Sequence, residues 1–126
     1  MPNPILIKNY IAEAAVNPYR IVKPGAADGQ VLQGAAVGDF LFAVADNLGQ
    51  ATVNGRVECT LAGTAEVEYG GTVVRGNPLT TDSTGRAIAA APAAGVNNRI
   101  IGIALVSGVI SDIGLVQLAP GQIQGA

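Results

Sequence analysis

Arg56-Val57-Glu58-Cys59-Thr60-Leu61-Ala62-Gly63-Thr64-Ala65-Glu66-Val67-Glu68-Tyr69-Gly70-Gly71 is the stretch that decides the fold. From Arg56 to Leu61 polar and apolar residues alternate strictly, which puts Val57, Cys59 and Leu61 on one face of an extended chain. Thr64 to Tyr69 alternates again, with Glu66 and Glu68 on the wet side, and the run ends at Gly70-Gly71. A period of two belongs to a strand, because a helix brings residues to one face only every three or four positions. Two half-buried strands are expected here. Cys59 then reads as core, and Tyr69 as either a half-buried barrel residue or an interface aromatic. Glu66 and Glu68 read as a solvated face, since a hard cation needs more ligands than two carboxylates.

Outward from this stretch the chain is punctuated throughout by 17 Gly and 7 Pro, which cut it into runs too short for ordinary helices. Arg20 to Lys23 is a short β-branched run closed by Pro24-Gly25. Ala26-Ala27-Asp28-Gly29 turns the chain into Gln30-Val31-Leu32-Gln33. Phe40 to Ala45 stops at Asp46-Asn47-Leu48-Gly49. Asn77 to Gly85 is turn chemistry nearly throughout, with Gly85 expected at positive φ, and Arg86 leads the short return Ala87-Ile88-Ala89. Ala90 to Asn98, broken by Pro92 and Gly95, reads as a loop. Arg99 to Val106 is the most apolar strand candidate, and Gly114 to Leu118 is the last before Pro120. The reading is all-β: a small single-domain barrel or sandwich spanning residues 20–119, with a C-terminal tail at 120–126 expected to fray. Residues 1–19 read as an extended N-terminal arm, because Pro2 and Pro4 resist helix. Within it Ile5, Leu6, Ile7 and Tyr10 are candidate contact residues, or alternatively an ordinary first strand.

Composition narrows what such a module does. Hydrophobic residues make up 49% of the 126 and charged residues only 13%, about half the usual charged share. So little charge is thin cover for a free surface, which implies that subunits or a partner cover part of it. The net charge of −2 argues against a phosphate-backbone binder, so no nucleic-acid partner is expected. The absence of histidine removes the commonest general acid–base and the commonest metal ligand. No catalytic site, metal site or cofactor is therefore expected. Cys59 alone forms no internal disulfide and has no histidine to activate it. The N-terminus lacks a basic start and a long apolar run, so neither signal peptide nor membrane span is expected, and synthesis is placed in the cytoplasm.

In their order along the chain, Arg20-Ile21-Val22, then Gly76-Asn77-Pro78-Leu79-Thr80-Thr81-Asp82-Ser83-Thr84-Gly85-Arg86-Ala87, then Arg99-Ile100-Ile101-Gly102-Ile103-Ala104 and Gly114-Leu115-Val116-Gln117-Leu118, the sequence resembles the capsid cement (head decoration) proteins of tailed bacteriophages. The specific part is the match to G-x-P-L-x-x-D-x-x-G-R-A. The resemblance implies a small β-barrel or β-tulip-like sandwich and no enzymatic activity. It implies a virion protein on the outer capsid surface, made in the bacterial host cytoplasm, whose partner is the phage major capsid protein. It further implies a homo-oligomer, a trimer before a dimer. Asn77, Pro78, Asp82, Gly85 and Arg86 then form a structural turn motif, with an Asp82–Arg86 contact, and Ile5, Leu6, Ile7 and Tyr10 reach the capsid. Two other classes stay open: a small cytoplasmic ligand-binding or carrier module, and a tail or fibre subunit. A lipoyl or biotinyl carrier needs a lysine at a hairpin tip, and Lys8 and Lys23 are poorly placed for that.

Overall fold

The computed structural model describes residues 2–126, so Met1, the first residue of the expected arm, lies outside it. Nine strands, β1 (Pro4–Ala12), β2 (Ile21–Pro24), β3 (Gln30–Gln33), β4 (Ala43–Ala45), β5 (Arg56–Glu68), β6 (Pro78–Thr81), β7 (Ala87–Ala89), β8 (Asn97–Ala104) and β9 (Ile113–Gln124), make up the regular structure among the described residues. They hydrogen-bond in the order β1-β3-β2-β4-β5-β9-β8-β6-β7, and β1 also pairs with β5. The protein is all-β, as its alternation dictates, and forms a sandwich-like domain rather than an evenly closed barrel.

The two alternating runs of the sequence are one strand. The first part of β5 pairs with β1, from Ile7↔Thr60 to Ile11↔Arg56, and with β4 at Val44↔Thr60. Its second part pairs with β9, from Thr64↔Gln117 to Glu68↔Ile113. The change of partner happens at Gly63, whose φ is +93°. A Cβ there would collide with the backbone of Asn3 and Ile5, so glycine is what lets β1 cross so close.

This strand borders both hydrophobic cores. Val57 and Cys59 pack with Ala12, Val16, Val22, Val31, Ala43 and Ala45 in the smaller one. Ala65 and Val67 pack in the larger with Ile21, Leu41, Leu79, Ile101 and Val116 among others. Burial pushes the Cys59 thiol up to about 12, reinforced by the charge of Asp46, so it stays a neutral core thiol at physiological pH.

Tyr69 belongs to the larger core and is fully buried, which excludes it as an interface aromatic. Its hydroxyl donates to the Val106 carbonyl at 2.6 Å, satisfying the one polar atom that burial would otherwise penalise. Its ring rests on the bare α-carbons of Gly108 and Gly114.

At both ends the segments differ from their sequence reading. Residues 120–124 belong to a strand, because β9 runs on to Gln124 against β8, with Asn97↔Gln124 in register. Ala12 and Val16, both within the segment read as an arm, sit inside the smaller core, while Ala14, Ala15, Asn17 and Pro18 between and after them are exposed.

Candidate interaction surface

The turn residues Asn77 to Arg86 are organised around the Asp82 carboxylate. In the β6–β7 hairpin, Asp82 Oδ1 accepts the Thr84 and Arg86 backbone N–H groups at 2.9 Å each and the Thr84 hydroxyl at 3.1 Å. Oδ2 accepts Arg86 Nε at 2.9 Å. Partial burial pushes this carboxyl up, but the two amides, the guanidinium and the hydroxyl outweigh it and hold it below the usual carboxylate range. Gly85 has φ +82°, the left-handed geometry the tight turn requires.

The tip of this hairpin is a joint rather than a cleft. The Gly85 carbonyl accepts the Ile21 N–H at 2.8 Å, and the Thr84 carbonyl accepts Arg20 Nη1 at 2.8 Å. Glu68 on β5 lies 3.4 Å from Arg20 and 3.8 Å from Arg86. Asn77 and Pro78 are equally committed to the scaffold, their carbonyls accepting the Ala104 and Ala90 N–H groups at 2.9 and 2.8 Å. The motif thus pins β6–β7 to β2 and to the end of β5, and every charged group in it has a partner within the chain.

The N-terminal candidates lie on β1 and face outward. Ile5, Leu6 and Ile7 are 82%, 49% and 50% exposed. Along residues 4–10 β1 pairs only with β5, since β3 joins it no earlier than Ile11. This portion is therefore a sheet edge with unpaired backbone groups and apolar side chains, the arrangement most prone to take up another chain. Beside it Pro2, Pro4, Ile7, Tyr19, Asp46 and Glu66 line part of an open depression of about 320 Å³. Among the described residues its lining carries two carboxylates and no cation.

Tyr10 behaves differently from its neighbours. It is half-buried and meets Phe42 edge-on, with ring centroids 5.3 Å apart, and Phe42 stacks on Phe40 at 5.8 Å. Lys8 Nζ lies 5.7 Å from the Tyr10 ring centre and the Arg99 guanidinium 5.8 Å from that of Phe40. Burial, then the nearby Cys59, raises the Tyr10 phenol, so it remains neutral. Three of the five aromatic residues in the chain thus join one partly exposed row with a cation at each end. The sequence reading missed Phe40, Phe42 and Arg99 as surface residues. The one available signal was the scarcity of aromatics, two of which, Phe40 and Phe42, fall two positions apart.

Among the described residues no three His, Cys, Asp or Glu side chains gather as a metal site, and no helix is long and apolar enough to cross a membrane.

No family model matches the chain, and no curated protein matches it. Among solved structures it is similar to the N base of the head fiber gp8.5 in bacteriophage phi29, with a TM-score of 0.68 at 14% sequence identity. The match covers 94% of this chain and 98% of that one. At such low identity the likeness establishes a shared fold.

Proposed function

We propose that this chain is a structural protein of a phage virion that binds the outer capsid surface and stabilises the expanded shell by bridging major capsid protein subunits. The observation that carries the reading is the exposed apolar edge of β1. Ile5, Leu6 and Ile7 stand in water at a cost that contact with a partner would remove, roughly 25 cal/mol per Å² of apolar area covered. The similarity to a phage head-fiber base supports it, because that fold serves at a phage head. So does the low charge, which suits a module packed against others in an assembly, here a homo-oligomer. Modest contacts repeated over a whole lattice add up where a single contact would not hold. The protein needs no cofactor for this task and performs no catalysis.

The test is co-sedimentation with expanded shells of a phage major capsid protein, together with a copy count by quantitative mass spectrometry on purified particles. A count near one per capsid subunit, or a simple fraction of it, supports the reading. Ile5→Ser with Ile7→Ser leaves both cores intact and is expected to weaken binding at least tenfold, as losing about 1.4 kcal/mol or more of apolar contact does. Absence from the particles overturns the proposal. The phi29 neighbour favours a second reading, a base that seats a projecting fibre, which electron microscopy of labelled particles separates from a flat knob.

A further inference from the structure

We propose that the row Lys8, Tyr10, Phe42, Phe40 and Arg99 is the docking surface for an acidic, apolar-flanked segment of the capsid partner. The inference rests on the capsid-binding reading and names the chemistry of the contact. Phe40 is 52% exposed, a large apolar ring kept at the surface of a protein with few aromatics. Both cations stand over ring faces, and among the described residues neither has a carboxylate within ion-pair distance. The carboxylate next in sequence to Phe40 does not neutralise them. Asp39 Oδ2 accepts the Ala35 and Ala36 N–H groups at 3.0 Å each and pairs with Lys23 at 3.1 Å.

The result is a strip of uncompensated positive charge and aromatic surface on a chain whose net charge is −2. Charge complementarity selects an occupant with carboxylates spaced around apolar side chains, since these satisfy guanidinium and ammonium donors while the side chains cover the rings. The strip adjoins the proposed contact edge on the same strand, because Lys8 and Tyr10, paired with Cys59 and Val57, share one face of β1. A strand laid along that edge would meet the row with its side chains.

Binding of the full chain to expanded shells, measured at 50 mM and 500 mM NaCl, tests this. The wild type is expected to bind more tightly at low salt. Arg99→Gln and Lys8→Gln each lose several-fold at 50 mM and little at 500 mM, Arg99→Lys retains the salt dependence, and Phe40→Ser loses about tenfold at both. Wild-type binding that is indifferent to salt, with all four variants within twofold of it, overturns the inference and leaves the capsid reading standing. A Phe40→Ser variant that changes the oligomeric state but binds shells normally assigns the row to contact between copies and likewise overturns it. Failure of the wild type to bind at either salt overturns both readings.

Discussion

Asp82→Asn changes one atom at the hairpin joint and separates charge from shape. The amide oxygen can keep the place of Oδ1 and the three hydrogen bonds that converge there, from the Thr84 and Arg86 amides and the Thr84 hydroxyl. The NH₂ group replaces Oδ2 and faces Arg86 Nε, donor against donor, where 2.9 Å now separates donor from acceptor. A hydrogen bond to a charged group contributes about 1.5–3 kcal/mol. The side chains are 18% and 26% exposed, so the lower part of that range applies, and a loss of about 1.5–2 kcal/mol is expected at pH 7. At about 4 °C per kcal/mol for a domain of this size, the melting temperature falls by roughly 6–8 °C. The pH dependence follows from the depressed carboxyl. The unfolded side chain titrates near about 3.9, and the folded one below that. Its contribution is complete above the unfolded value and disappears as pH falls through the folded one. The gap between wild type and variant, measured by urea unfolding, is therefore constant from about pH 7 to 5 and closes as the pH falls below the unfolded value and through the lower folded one. A variant within 0.5 kcal/mol of wild type at pH 7, on the order of an ordinary surface change, would refute the reasoning, as would a gap unchanged by acid.

Two further perturbations probe the cores. Gly114→Ala places a Cβ inside the Tyr69 ring, which cannot withdraw because its hydroxyl is held by Val106, so a loss of about 2–3 kcal/mol is expected in thermal unfolding. Gly121→Ala, whose Cβ would have 3.9 Å of clearance, serves as the control that should melt close to wild type. Cys59, buried with its thiol raised to about 12, is expected to resist alkylation at pH 8 until denaturant is added, and rapid labelling of the native protein would place it at the surface instead.

The strand content was legible wherever a period of two survived, and Val57, Cys59 and Val67 are buried on the side their alternation assigned. The turn was legible too, because Asp82, Gly85 and Arg86 act within five residues and their chemistry is local. Contacts decided elsewhere in the chain were not. Nothing around Gly63 in the sequence states that β1 crosses there and makes one strand of two runs. Residues 120–124 carry little strand propensity of their own and are extended because β8 pairs with them, which is tertiary context overriding local preference. The aromatic row escaped for the same reason. Residues 8, 10, 40, 42 and 99 become neighbours only after the sheet curls back on itself, and Arg99 is brought toward Phe40 as its N–H donates to the Val37 carbonyl at 2.6 Å.

The single strand β5 also sets how the molecule would carry load. Because its two parts are hydrogen-bonded to different neighbours, a pull along its axis is resisted by β1 and β4 at one end and by β9 at the other. Such a pull loads those ladders in shear, so many bonds must give way together. A pull at β7 meets them in peeling order, since among the described residues that strand pairs with β6 and through one bridge with Tyr69. A protein attached through β1 would thus receive tension from its anchor on its strongest axis, and β7 is where yielding would start.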